Sequence, residues 1–461
     1  MKYISTRGKS PELSFSEVVL EGLARDGGLY LPETLPDFSN RLGELSALRY
    51  QDLALEIFTP FMAPDFSVAE IAQLVERSYA SFDHRSITPM KKVGEHWILE
   101  LWHGPTFAFK DVALQFLGNL FEDLLKRSGN QLNIIGATSG DTGSAAIHGV
   151  KGKKGIKIFI LHPKGKVSPV QEKQMTSVLD DNVVNIAIEG NFDDAQDTVK
   201  ALFNDLEFKD QYQLGAVNSI NWARVMAQIV YYFYGYFRWQ EKTGEREVVF
   251  SVPTGNFGDI YAGYLAKQMG LPIKKLLLGT NENDILSRAF QSGDYSVSPV
   301  VPTISPSMDI QLASNFERYL FNLSGQNPEQ VRQWMEEIKT KGAVQLSPEL
   351  LSQANEEIQG FRVDAAQASD VMRRYHALGL ELDPHTAVAV GAAEDSGLTD
   401  VICLSTAHPA KFEDTFKAAT GDSPKIPQAI ADLDGAETRH MESEASVEAI
   451  KALFIKLVSQ A

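Results

Sequence analysis

The sequence predicts an α/β protein with a mainly parallel sheet covered by helices on both faces. Three observations carry this. Short apolar runs of three to six residues alternate with helical periodicity from about residue 96 onward. Such runs, bounded by turn residues and separated by helices, are the pattern of strands buried on both faces. Two glycine-rich loops each follow a strand-like run and open a helix-like one. Finally, no repeat or low-complexity tract interrupts the alternation.

Taken in order, residues 1–95 form an N-terminal region. It carries helical patterns at Phe15–Leu23, Tyr50–Met62 and Val68–Phe82, a turn at Asp26-Gly27-Gly28, and no catalytic cluster. Trp97–Leu101 is an apolar run that feeds a Gly-Pro turn, and Ala113, Phe116, Leu117, Leu120, Phe121 and Leu124 then recur at helical spacing. Strands are predicted at Leu132–Ile135, Ile156–Leu161, Val183–Ile188, Val248–Val252, Leu276–Leu278 and Val401–Leu404. Val225–Trp239 is apolar but too short to span a bilayer, so it reads as a buried core helix. The stretch 281–395 reads as mostly helical. Asn327-Pro328 and Ser347-Pro348 serve as cap-plus-N1 starts, and Gly342 and Gly379 as stops. Residues 420–445 read as a polar, acidic mobile loop, and Val447–Val458 as a closing helix.

Composition narrows the function. The 461 residues suffice for two or three domains with sizeable cores. A net charge of -17 supplies no general positive field, which argues against a nucleic-acid or anionic-membrane partner. A small anionic ligand needs only a local site. Cys403 is the single cysteine, so no intrachain disulfide forms, and the opening residues lack a signal-peptide pattern. A cytoplasmic location is expected, as a monomer or homodimer. No metal-ligand spacing is present, and no metal site is expected.

Chemistry concentrates in three stretches. Lys110 lies where the turn Trp102–Asp111 enters a helix. It is either an ordinary helix-start residue or an amine kept for chemistry, since amines in apolar surroundings form Schiff bases. The loops Ala137–Ala145 and Pro253–Asp259 are rich in small residues, which leave backbone N–H groups free at the positive end of a helix dipole. Neither loop matches the dinucleotide fingerprint or the nucleotide P-loop. Leu404–Phe412 ends the last strand with hydroxyls, where open α/β sheets bind ligands.

In this order, Phe109-Lys110-Asp111, the Thr138–Gly143 loop and the Gly255–Asp259 loop resemble the fold-type II pyridoxal-phosphate enzymes. Ser5–Gly8, Asp26–Tyr30, Ser219–Arg224 and Ser405–Phe412 narrow the resemblance to the threonine synthase family, in its longer bacterial and fungal branch. The resemblance covers essentially the whole chain. It implies two open, mainly parallel sheet domains flanked by helices. On this reading 96–215 is the smaller one, with the lysine and the first loop, and 216–461 the larger.

The implied cofactor is pyridoxal 5'-phosphate and the implied substrate O-phospho-L-homoserine, converted to L-threonine and phosphate. Lys110 is implied as covalent anchor and proton shuttle, Gly255, Asn256, Phe257, Gly258 and Asp259 as the phosphate cup, and Thr406 as the contact to the pyridine nitrogen. Thr138, Ser139, Gly140, Asp141 and Thr142 are implied to hold the substrate carboxylate. Asp141 stands where many relatives have Asn; it is protonated, turned away, or paired with a cation. Arg224, supported by Ser219 and Asn221, is the leading candidate for the substrate phosphate, and Lys411 the second. Alternatives are another lyase on the same scaffold, a dehydratase or amino-alcohol phospholyase, and a non-catalytic anion-binding homologue.

Overall fold

The computed structural model describes residues 1–138 and 140–459, and the chain divides into two units. The first comprises Met1–Ala113 and Ser219–Lys425, the second Leu114–Asn218 and the chain from Ile426 onward. The division differs from boundaries at 95 and 215: the N-terminal region and Lys110 fall in the first unit, and the chain's last segment returns to the second.

The first unit carries a six-stranded sheet in the order Ile358–Arg362, Ile273–Thr280, Val248–Pro253, Ile402–Ser405, His96–Glu100, Met90–Val93. All neighbours run parallel except the edge strand Met90–Val93. The edge strand Ile358–Arg362 interrupts the stretch read as mostly helical. It forms because it lies against Ile273–Thr280 with Leu277 opposite Gln359. Helix Trp222–Thr243 is capped by the Asn221 side chain and stopped by left-handed Gly244. It is buried along nearly its whole length. Aromatic contacts join it to the N-terminal helices, Tyr50 to Tyr234 at 5.4 Å and Phe61 to Trp222 at 5.8 Å between ring centroids.

The second unit is built on an all-parallel, five-stranded sheet in the order Met441–Glu444, Val183–Glu189, Ile156–Pro163, Leu132–Ala137, Leu214–Gly215. The strand Met441–Glu444 overturns the expectation of a mobile loop over 420–445: its polar residues pair on the free edge of Val183–Glu189. Helix Val447–Val458 then places Phe454 on Phe159 at 4.5 Å and on Phe208 at 5.5 Å, inside the core of this unit. Burial of Ile450 and Phe454 is what returns the chain's end to this sheet. Helix Lys110–Ser128 passes helix Asp141–Val150 at glycine contacts. A Cβ on Gly118 would lie 2.0 Å from the Gly149 carbonyl oxygen, so neither position accepts a side chain. No helix among the described residues is long and apolar enough to cross a membrane.

Candidate active site

Three neighbouring parallel strands of the first unit, Val248–Pro253, Ile402–Ser405 and His96–Glu100, end on the same side of the sheet. Parallel order therefore delivers the Pro253–Asp259 loop, Thr406 and the Lys110 turn to one edge, as carboxyl ends do in open α/β sheets.

The turn Trp102–Asp111 is fastened to the segment after Ser405. Leu101 N–H donates to the Ser405 carbonyl (2.9 Å), Trp102 Nε1 to Ser405 Oγ (3.0 Å), Phe109 N–H to the Thr406 carbonyl (2.8 Å), and His408 N–H to the Phe107 carbonyl (3.0 Å). Asp111, fully buried, closes the turn: its carboxylate accepts the Thr106 N–H and the Thr106 hydroxyl, both at 2.8 Å. Burial pushes the Asp111 carboxyl up to about 6, against the pull of those hydrogen bonds and of Lys411. Lys411 Nζ donates to the Thr106 carbonyl at 2.7 Å beneath the turn. The second candidate for the substrate phosphate is thus part of the clamp. Phe107 takes a left-handed φ of +58°, a conformation that persists because the turn is held on both sides. Lys110 is the first residue of its helix, buried, with Nζ 5.6 Å from the centre of the Phe109 ring.

Gly104 is what allows Asp111 into the turn, since a Cβ there would lie 2.4 Å from Asp111 Cβ. Gly104→Ala is expected to destabilise the fold by about 1–3 kcal/mol through overpacking. Because the displaced group is Asp111, next to Lys110, activity should fall further than the loss of folded fraction explains. A thermal melt alongside the steady-state rate checks this.

Thr406 is anchored by its backbone. Its N–H donates to Thr386 Oγ1 (3.3 Å), and that hydroxyl in turn reaches Ser405 Oγ (3.1 Å) and Asp383. Asp383, wholly buried, also caps the helix Pro384–Asp395 and accepts from His385 Nδ1 at 2.9 Å, while His385 Nε2 accepts the Ser307 N–H at 3.1 Å. These bonds occupy the backbone of Thr406 and leave its hydroxyl for a ligand.

In the second loop, Gly255 packs against residues 307–310: a Cβ would meet the Ser307 carbonyl oxygen at 2.9 Å. Phe257 is left-handed (φ +63°) and precedes helix Gly258–Gln268. Among the described residues, the backbone N–H groups of Gly255, Asn256, Phe257 and Gly258 have no acceptor. Four unsatisfied donors at a helix N-terminus are an arrangement that can cradle an anion without a basic side chain. Asp259 contributes only its backbone to that cradle. Its carboxylate is turned onto the hydroxyls of Tyr231 (2.6 Å) and Tyr232 (2.8 Å), and burial pushes it up to about 6.

Three residues around 219–224 are assigned to the substrate phosphate. Asn221 caps its helix and donates to the Val19 carbonyl (2.9 Å), and the Ser219 hydroxyl meets that of Ser314 (3.1 Å). Arg224 lies in the first turn of the same helix and is 4% exposed. Burial lowers its guanidinium to about 10, so it stays charged at neutral pH.

In the second unit, Thr138 Oγ1 accepts from the N–H groups of Gly140 (3.0 Å) and Gly143 (2.9 Å), which closes the first loop. Gly140 has φ +152° and Thr142 is half-buried; Ser139 lies outside the described residues. Asp141 opens helix Asp141–Val150 and accepts from Gln171 Nε2 at 2.7 Å. A neutral amide donor and the helix N-terminus are among the groups that hold its carboxylate.

Asp111, Asp383 and His385 were missed in the sequence. Asp383-Pro384 carries the same cap-plus-N1 signal as Asn327-Pro328, and Gly104 signalled a close approach.

A buried lysine at one strand end, an uncharged anion cradle at another and a free hydroxyl between them define a fold-type II pyridoxal-phosphate enzyme. Family models agree along the chain: "Threonine synthase N terminus" matches residues 2–79, "Pyridoxal-phosphate dependent enzyme" 85–327, and "Threonine synthase, C-terminal" 386–454. The chain is 46% identical to the threonine synthase of Pseudomonas aeruginosa, with 95% of each covered. It superposes on pyridoxal-phosphate-bound threonine synthase from Brucella melitensis with a TM-score of 0.96, at 44% identity over 99% of each chain. The yeast threonine synthase structure gives 0.95 at 42% identity, covering 100% of this chain and 99% of that one. The chain belongs to the threonine synthase family.

Proposed function

We propose that this chain converts O-phospho-L-homoserine and water to L-threonine and phosphate, as a pyridoxal-phosphate-dependent lyase. The observation that carries the reading is the clamp in which Phe109 N–H, next to Lys110, donates to the Thr406 carbonyl, beside a loop of unsatisfied N–H groups. That donor set fits the cofactor: an amine for its aldehyde, uncharged N–H groups for its phosphate, and a hydroxyl for its ring nitrogen. Bound there, pyridoxal phosphate supplies an electron sink for a carbanion next to the substrate's amino group.

The residues do the rest. Lys110 Nζ would hold the cofactor's aldehyde and, as a free amine, would take the proton from the substrate's Cα and return one later. Backbone N–H groups of Gly255–Asp259 hold the cofactor phosphate, so no ion pair competes for it. The Thr406 hydroxyl holds the ring nitrogen without forcing a proton onto it, as a carboxylate would. Arg224 grips the substrate phosphate in water-poor surroundings, with Ser219 and Asn221 shaping the entry to its helix. The Thr138–Thr142 loop is assigned the α-carboxylate by the resemblance, and Gln171 Nε2 donates to the Asp141 carboxylate. A cytoplasmic location fits this biosynthetic role.

The deciding experiment incubates the purified protein with pyridoxal phosphate and O-phospho-L-homoserine. L-Threonine and phosphate are expected in equal amounts. A keto acid or aldehyde with ammonia would replace this reading by a dehydratase or phospholyase, and no phosphate release would end it.

A further inference from the structure

The N-terminal motifs Ser5–Gly8 and Asp26–Tyr30 hold no catalytic group, yet the structure ties them to the cofactor-phosphate loop. Strand Tyr3–Ser5 pairs antiparallel with Tyr30–Pro32. Asp26 accepts from Ser5 Oγ (2.8 Å) and the Gly28 N–H (2.9 Å), and Thr6 Oγ1 accepts the Leu29 N–H (2.9 Å). The motif is docked on helix Phe316–Leu323: Thr6 Oγ1 donates to Glu317 Oε1 (2.6 Å), and Arg7 forks onto both Glu317 oxygens (3.0 and 2.9 Å). This docking fixes the position of the Tyr30 carbonyl.

That carbonyl is taken up by the next residue, Arg318. Arg318 is wholly buried and donates to the Tyr30 carbonyl through Nε (2.9 Å) and Nη2 (2.7 Å), and to the Ile220 carbonyl through Nη2 (2.6 Å). Its remaining terminal nitrogen, Nη1, donates to Asn315 Oδ1. Asn315, also wholly buried, donates its backbone N–H (3.0 Å) and its Nδ2 (3.2 Å) to the Asn256 carbonyl, and Nδ2 also reaches the Ser219 carbonyl (3.1 Å). One guanidinium thus joins three backbone segments, the N-terminal cap and the entry to the Arg224 helix directly and, through Asn315, the Gly255–Asp259 loop.

Two physical reasons favour a role in the site. A buried charge is costly where packing alone would serve, so a polar network of this size needs a function that apolar residues cannot supply. Second, the cradle at Gly255–Gly258 holds a dianion with no basic side chain of its own. Arg318 remains protonated at neutral pH although burial lowers it to about 10. Its charge orients the Asn315 amide, which holds the Asn256 peptide unit.

We propose that Arg318, acting through Asn315, is the positioning residue and remote positive charge for the cofactor-phosphate loop, and that the N-terminal cap exists to hold it there. The proposal rests on the reading of Gly255–Asp259 as the phosphate cradle.

The test compares the binding of pyridoxal phosphate and phosphate-free pyridoxal to the full chain, followed by absorbance, in wild type, Arg318→Met, Arg318→Lys and Asn315→Ala. Losing a hydrogen-bonded link to a charged group predicts about 10- to 100-fold weaker pyridoxal-phosphate binding in Arg318→Met and Asn315→Ala. Pyridoxal binding should stay unchanged, and Arg318→Lys should recover part of the loss. The ³¹P resonance of the bound phosphate should shift in the same variants. Equal losses for the two ligands, or no loss for pyridoxal phosphate, would overturn the proposal. If Arg318→Met does not fold, Asn315→Ala decides alone, because it leaves Arg318 on Tyr30 and Ile220. Wild-type protein that takes up no pyridoxal phosphate would instead sink the functional reading itself.

Discussion

Lys110→Ala is expected to abolish phosphate release while leaving the apo fold intact. The loss should reach at least about 10²–10⁴-fold, the range for removing a positioned proton-transfer group, before the loss of the covalent anchor is added. The fold should survive because Lys110 opens helix Lys110–Ser128, where a cation opposes the helix dipole and alanine is the better helix former. The contact to the Phe109 ring that is lost is of similar small size, about 0.5–1 kcal/mol. Apo melting temperatures should therefore agree within a few degrees, whereas the stabilisation by pyridoxal phosphate should shrink in the variant. Lys110→Arg sharpens the point. It keeps the charge, but a guanidinium does not deprotonate at working pH and cannot serve as nucleophile or base. Both variants should be inactive; an active arginine variant would mean that charge alone was needed.

Lys110 stood out in the sequence because its signal is local: an apolar run, a Gly-Pro turn and a helix on a few consecutive residues. The same holds for the Pro253–Asp259 loop, whose Gly255 is required where the chain passes Ser307. What stayed hidden depends on distant partners. Gly104 matters because Asp111 folds back onto Thr106 within one turn, yet the clamp beneath comes from Lys411, 305 positions away from Thr106. Asp259 and Lys411 each had the right residue type at a motif position, and each is held by local chemistry instead, two tyrosine hydroxyls and a carbonyl. Strand Ile358–Arg362 follows a Glu-rich helix with no turn signal and exists only because an edge was free beside Ile273–Thr280. Met441–Glu444 is the same case on the other sheet. Edge strands with polar composition are set by a neighbour, not by their own sequence.

Arg224→Met should separate stability from activity in opposite directions. Burial holds the Arg224 guanidinium at about 10, below its ordinary value, so the folded state binds that proton less tightly than the unfolded chain. At pH values below about 10 both states carry the charge, and the folded state bears the cost of burying it. The penalty is relieved as pH rises above about 10, where the folded state sheds the proton first. Methionine fills much of the space with no charge to bury. At neutral pH the apo melting temperature of Arg224→Met should therefore equal or exceed that of wild type, and the difference should narrow as the pH is raised through 10. Activity should move the other way. A phosphate dianion that loses its buried cation forfeits roughly 2–5 kcal/mol, equivalent to about 30- to several-thousand-fold in kcat/KM. The loss should appear mainly in KM, with a matching rise in the inhibition constant for inorganic phosphate, because the guanidinium binds phosphate in the ground state as well as in the transition state. An equal fall in stability and activity would instead mark Arg224 as a packing residue, and the substrate phosphate would need another cation. A protein that becomes more stable and less active on losing one buried charge is one in which that charge is kept for the ligand.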